Sequence, residues 1–149
     1  MPENEILLVE DNEDDELLTL RAIKLNKIAN KIVVVRDGQE ALDYLFCSGQ
    51  YQTNDPAGVP NLILMDINLP KISGIEVLQR IRSMDKTRLI PVVILTSSNL
   101  EKDIVETYKL GVNSYIIKPV NFDQFVESVK QIGMYWLLLN RAPPAITRL

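Results

Sequence analysis

Ile6-Leu7-Leu8-Val9-Glu10-Asp11 is the stretch on which the fold turns: four apolar residues run straight into two carboxylates. The pattern returns at Leu62-Ile63-Leu64-Met65-Asp66, and a third stretch, Ile116-Ile117, runs into Lys118-Pro119. Short apolar runs of this kind read as strands buried on both faces, the habit of parallel sheets. As parallel neighbours, their C-terminal ends gather three carboxylates and a lysine in one crevice. Such a crevice suits an oxygen-seeking divalent ion and a phosphoryl group better than an apolar ligand.

Working outward, five runs read as strands: Ile6-Val9, Ile32-Val35, Leu62-Met65, Val92-Leu95 and Tyr115-Ile117. Helical patterns alternate with them. The first, near Asp15-Asn26, puts Leu17, Leu18, Leu20 and Leu25 on an apolar stripe behind an acidic start at Glu13, Asp14 and Asp15. The second spans Gly38-Phe46 around Ala41, Leu42 and Leu45. A third starts after Ser73-Gly74 with Ile75, Val77, Leu78 and Ile81, and a fourth covers Leu100-Leu110 with Gly111 closing it. The fifth, capped by Asn121 or Asp123, repeats Phe122, Phe125, Val126, Val129 and Ile132 at helical spacing. Alternation with short connections predicts an α/β fold, a (βα)5 doubly wound five-stranded parallel sheet. It forms one domain over residues 1–149, with an extended C-terminal helix and tail from about residue 133.

Composition excludes several classes. A chain of 149 residues buries a core without staples, and its net charge of −4 argues against a nucleic-acid binder. The single Cys47 allows no internal disulfide and reads as a partly buried helix residue in a reducing compartment. With no histidine, a Ser-His-Asp triad is impossible and a zinc site lacks its usual ligands. Met1-Glu5 has no secretory character, and no apolar run approaches the ~20 residues that span a membrane. A cytoplasmic protein is expected.

Two segments stand apart. Ser48-Pro60, with Gly49, Asn54, Asp55, Pro56 and Gly58, reads as an extended surface loop. Gly133-Leu139 is apolar all round, which a helix on the outside of a monomer should not be. Trp136 and its neighbours either fold back on the domain or form a subunit interface; the interface is the expectation here, with Tyr135, Trp136 and Leu138 in a homodimer and Arg141-Leu149 as an arm.

The chemistry follows from the crevice. Clustered carboxylates repel, and Mg²⁺ is the expected counter-ion, held by Asp11 and Asp66, by Glu10 directly or through water, and by the main-chain oxygen of Asn68. Asp66 then serves as a carboxylate nucleophile on phosphorus, forming an acyl phosphate. Lys118 pairs with the phosphoryl oxygens and Thr96 donates its hydroxyl to another. Taken singly, each has a plainer reading. An Asp after a strand can be a helix cap, a Lys before Pro can face solvent, and Thr96-Ser97-Ser98 can be a capping turn. Tyr115 either packs with its hydroxyl at the edge or moves when Thr96 is drawn toward a phosphoryl group.

At these residues the chain resembles the receiver domain of two-component response regulators, the flavodoxin-like fold of the chemotaxis receivers. The resemblance runs from Glu5 to about Leu138. It rests on ILLVEDNEDD (Ile6-Asp15), LILMDINLPKISG (Leu62-Gly74), VVILTSS (Val92-Ser98) and YIIKPV (Tyr115-Val120). It implies Asp66 as phosphoacceptor, Glu10 and Asp11 with the Asn68 main-chain oxygen at Mg²⁺ (Mn²⁺ or Ca²⁺ substituting), and Thr96 and Lys118 as the catalytic hydroxyl and lysine. Tyr115 is implied as the switch aromatic, with a cis peptide before Pro119. The implied donor is a sensor histidine kinase or a small phosphodonor. The long loop before the third strand and the Tyr135-Trp136-Leu137 end are similar to the stand-alone regulators that partner cyanobacterial and bacterial phytochromes, whose members commonly dimerise.

Three other readings compete. A flavin-binding module needs a phosphate-cradling loop, where Glu10-Asp11-Asn12-Glu13-Asp14 would repel the phosphate. A haloacid-dehalogenase-like phosphohydrolase is expected to carry a second Asp where Asn68 stands. An unphosphorylated adaptor would have no use for Asp66, Thr96 and Lys118 together. Within the preferred reading, phosphate either switches a protein-binding surface or passes to a histidine phosphotransfer protein.

Overall fold

The computed structural model describes residues 5–53, 59–118 and 121–133. Five strands alternate with five helices: β1 (Glu5–Val9), α1 (Glu13–Leu25), β2 (Lys31–Val35), α2 (Gly38–Leu45), β3 (Leu62–Met65), α3 (Gly74–Ser83), β4 (Val92–Thr96), α4 (Glu101–Lys109), β5 (Ser114–Ile117) and α5 (Phe122–Ile132). A 3₁₀ turn, Gly49–Tyr51, opens the predicted loop. The sheet order is β2-β1-β3-β4-β5 and every adjacent pair is parallel. The chain winds one way from β1 and then the other, so the crevice between β1 and β3 is the switch point of the doubly wound sheet.

Alternation along the strands divides the core. Leu7, Val9, Ile63, Met65, Val92 and Ile94 face α2 and α3, against Ala41, Leu42, Leu45, Val77, Leu78 and Ile81. Ile6, Leu8, Leu62, Leu64, Val93 and Leu95 face α1 and α5, against Ala22, Ile23, Phe125, Val129 and Ile132. Leu62–Met65 is buried at every position, as a central strand covered on both faces must be.

Helix starts follow local chemistry. Side-chain oxygens of Asn12, Asp37, Ser73 and Asn121 accept backbone N–H groups from the first turns of α1, α2, α3 and α5. Gly74 begins α3 because nothing larger fits: a Cβ there would lie 2.3 Å from the carbonyl oxygen of Asp66. Gly111 follows the end of α4 with φ +76°, a left-handed turn that glycine adopts without strain.

The leucine stripe expected on α1 is not its buried face. Leu17, Leu18 and Leu25 are exposed, while Glu16, Thr19, Ala22 and Ile23 are buried. Small Ala22 lets the helix close on the sheet beside α5. Glu16 tolerates burial because Arg36 reaches both its carboxylate oxygens at 3.0 Å. Arg21 lies 5.3 Å over the Phe122 ring, and Asn26 Nδ2 donates to the Val126 carbonyl, joining α1 to α5.

Cys47 also departs from expectation. It lies past Phe46, the C-cap of α2, with φ 54°, so it belongs to the left-handed exit of the helix and not to the helix itself. No helix among the described residues is long and apolar enough to cross a membrane. The expectations for Pro119, for Tyr135, Trp136 and Leu138, and for the tail lie outside the described residues.

Candidate functional site

Four of the five C-terminal strand ends deliver one polar group each to the switch point: Glu10 after β1, Asp66 after β3, Thr96 at the end of β4 and Lys118 after β5. Backbone hydrogen bonds fix these ends against one another. The Glu10 N–H donates to the Val35 carbonyl, Asp66 N–H to Val9, and Lys118 N–H to Thr96 at 2.7 Å. The side chains are thus placed by the sheet ladder before they interact.

Asp66 is buried and fully engaged. Its Oδ1 accepts the Thr96 hydroxyl at 2.6 Å and the Asn68 N–H at 3.0 Å, and its Oδ2 accepts the Lys118 ammonium at 3.0 Å. Glu10, only 2 % exposed, accepts Lys118 on Oε1 and the Asn12 N–H on Oε2. Lys118 has a third partner, Asp15 Oδ2 at 2.9 Å. Asp11 follows Glu10 as an exposed residue, and Asn68 is exposed beyond Asp66.

The charges do not balance: one ammonium meets three carboxylates. Burial is the main cause that pushes the Glu10 carboxyl up to about 7, reinforced by the Asp66 charge and only partly countered by Lys118 and Asn12. Burial pulls the Lys118 ammonium down, but the hydrogen bonds it donates to Glu10 and Asp15 and the charge of Asp66 outweigh it. Lys118 is held above the ordinary lysine value and stays charged.

This excess of negative charge, made entirely of oxygen donors, fits a hard divalent cation in charge and chemistry. Among the described residues, however, no three Asp, Glu, His or Cys side chains converge as a ready cage for a metal ion. Lys118 holds Glu10 and Asp66 instead, and Asp11 stands outside that cluster.

The site extends toward α4. Thr96 Oγ1 accepts the Ser98 N–H at 3.3 Å, and Ser98 Oγ donates to Asp103 in the first turn of α4 at 2.7 Å. Tyr115 donates its hydroxyl to the Ser98 carbonyl at 2.8 Å. Burial raises its phenol above the usual range. The structure therefore unites Glu10, Asp66, Thr96 and Lys118, and connects Tyr115 to them through Ser98.

Asp15 was missed from the sequence as a site residue, where it counted only as acidic bias at a helix start. A signal was present: Asn12 caps α1, and its Oδ1 accepts the Asp15 N–H at 2.9 Å. A helix separated from β1 by only three residues carries its first turn over the strand ends, and Asp15 with it.

Comparison with known proteins agrees with this geometry. Residues 6–130 match the family of the response regulator receiver domain. The chain belongs to that family. The crystal structure of the phosphorylated cyanobacterial phytochrome response regulator RcpA is 42% identical, with a TM-score of 0.87 over 95% of this chain and 99% of that one. The bacteriophytochrome response regulator AtBRR is 50% identical, with a TM-score of 0.75 over 95% of this chain and 100% of the other. A probable methanogenesis regulatory protein, FilR2 of Methanothrix harundinacea, is 41% identical over 93% of this chain and 86% of its own length. The chain is closely related to the stand-alone response regulators that partner bacterial and cyanobacterial phytochromes.

Proposed function

We propose that Asp66 accepts a phosphoryl group from a sensor histidine kinase, a phytochrome by the chain's kinship with phytochrome response regulators, and that the product switches a protein-binding surface. The observation that carries this reading is the Asp66 carboxylate itself, bonded at once by the Thr96 hydroxyl and the Lys118 ammonium. An Asp66 oxygen attacks the donor phosphorus, a P–O bond forms as the P–N bond to the kinase imidazole breaks, and the departing imidazole keeps the electron pair and takes a proton. Asp66 must reach the phosphorus as a carboxylate nucleophile, and Lys118 and Thr96 hold its two oxygens in place for the attack. As charge passes to the phosphoryl oxygens, Lys118 and Thr96 turn their donors from the carboxylate to those oxygens.

Glu10, Asp11 and Asp66, with the Asn68 carbonyl, are the groups that would hold Mg²⁺, or Mn²⁺ or Ca²⁺ in its place. Such a cation, when bound, shields the carboxylates and the incoming phosphoryl group from each other. The signal then leaves through Thr96: its hydroxyl cannot serve both Asp66 and a phosphoryl oxygen, so Ser98 and Tyr115 follow it. Tyr115 lines a cavity of about 630 Å³ with Tyr108, Asn113, Ile116, Ser128 and Gln131, and its movement reshapes this groove between α4, β5 and α5.

The protein acts in the cytoplasm, where its kinase output lies. It self-associates through Tyr135, Trp136 and Leu138. An unchanged solution mass for Trp136→Ala would remove that interface.

The test of the whole reading is intact mass after incubation with a small phosphodonor, with and without Mg²⁺, followed by mapping. One phosphoryl group on Asp66, dependent on the cation and absent in Asp66→Asn, is the expected result. Labelling elsewhere, or none in the folded protein, would reject it. Rapid loss of the group to a histidine phosphotransfer protein would redefine the chain as a shuttle.

A further inference from the structure

We infer that Asp15 is a positioning residue for phosphoryl transfer: it anchors the Lys118 ammonium beside Asp66 while the other two partners of that ammonium are claimed by the reaction. The inference rests on Asp66 being the phosphoacceptor. It starts from a count of donors. A lysine ammonium has three N–H groups, and Lys118 spends them on Glu10 Oε1, Asp15 Oδ2 at 2.9 Å and Asp66 Oδ2 at 3.0 Å.

Two of those acceptors do not keep their role. Asp66 gives an oxygen to phosphorus and loses its charge in the acyl phosphate. Glu10 belongs to the carboxylate set that would face a cation. Asp15 is left out of both events, because it projects from α1 and not from a strand end. It is the partner that can hold Lys118 from the free state through to the product.

The anchor is itself held. The Asp15 N–H is fixed by Asn12 Oδ1 at 2.9 Å, and its carbonyl accepts the Thr19 hydroxyl at 2.8 Å. Thr19 is fully buried, so this turn of α1 cannot drift from the sheet. Lys118 carries its charge on a long flexible stem, and an ammonium held from one side by a rigid helix loses less freedom when it meets the phosphoryl oxygens. The Asp15 side chain retains 36% exposure against 11% for Lys118, so the contact sits at the rim, where a donor would enter.

The sign of the effect separates anchoring from simple electrostatics. Asp15 adds negative charge near the entrance for an anionic phosphodonor. If charge alone mattered, Asp15→Asn would speed labelling. Anchoring predicts the opposite, a fall of roughly 10- to 100-fold in the saturating rate of Asp66 phosphorylation. Half-saturation by the donor should change little or improve, and Asp15→Glu should recover part of the rate.

A spectroscopic reading accompanies the kinetics. In protein with ¹⁵N-labelled lysine, the Lys118 ammonium should give a slowly exchanging signal that Asp15→Asn loses and Asp15→Glu retains. Labelling of Asp15→Asn at or above the unsubstituted rate, or a Lys118 signal unchanged in that variant, would overturn the inference while leaving Asp66 as the acceptor. Failure of the unsubstituted protein to label at Asp66 would overturn the underlying reading, and the inference with it.

Discussion

Lys118 shows how much of this site rests on one side chain. It supplies the only described ammonium among Glu10, Asp15 and Asp66, two of which are almost entirely buried. Replacing it by Met keeps the volume of the stem but leaves buried carboxylates facing each other. Removing one partner of a buried ion pair costs about 3–5 kcal/mol. Lys118→Met should therefore lower the unfolding free energy, read from urea unfolding at neutral pH, by about 3 kcal/mol, since Thr96 and the Asn68 N–H still bond Asp66. An unchanged midpoint would mean that the ion pairs contribute nothing to the fold. At this scale the sequence was informative about identity and silent about partnership. Glu10, Asp66, Thr96 and Lys118 could be picked out because each follows a recognisable strand. That Lys118 would hold three carboxylates, and leave Asp11 aside, depends on distances set by the assembled sheet.

Helices and turns were legible where their own pattern governs them and obscure where a distant residue does. α3 and α5 bury the residues their spacing predicts, Val77, Leu78 and Ile81 in one and Phe125, Val129 and Ile132 in the other. On α1 the leucines misled, because Arg36 from the end of β2 makes Glu16 burial possible and nothing in the helix announces it. Leu17→Gln should accordingly shift stability by no more than about 0.5 kcal/mol, whereas Ala22→Leu should cost about 1–3 kcal/mol by overpacking. Thermal or urea unfolding of the two variants distinguishes the faces. The 3₁₀ turn Gly49–Tyr51 gives a second contrast. Its Tyr51 ring meets Tyr44 edge-on at 5.0 Å, and its hydroxyl donates to Glu40 at 2.7 Å. Burial, with the Glu40 carboxylate, pushes the Tyr51 phenol up from 10.0 to about 12. Between those values the native state keeps a proton that the unfolded chain has lost, so this contribution is complete below pH 10 and disappears as pH approaches 12. Tyr51→Phe should flatten the alkaline fall in stability across that window. An identical slope in both proteins would show that the Glu40 contact does not survive in solution.

The whole molecule brings together residues 10, 66, 96 and 118 only by completing the parallel sheet, since each sits at the end of a different strand. That is why the crevice could be foreseen: parallel strands must end on the same edge, and ligands gather where the winding reverses. The same logic makes folding and site formation one event, so any ion that needs Glu10, Asp11 and Asp66 together binds the native state and not the unfolded chain. Under the proposed role, Mg²⁺ at about 100 times its dissociation constant should stabilise the protein by about 2.7 kcal/mol, and chelation should reverse the gain. Asp11 allows a clean control, because it is exposed and stands apart from the Lys118 cluster. Asp11→Asn should leave the stability of the chelator-treated protein within about 0.5 kcal/mol of the original, yet abolish most of the increment on adding Mg²⁺. A midpoint that rises equally in both proteins would place the ion elsewhere. A midpoint that rises in neither would mean that Lys118 keeps its three carboxylates against the cation, and that the crevice opens only when the phosphoryl donor arrives.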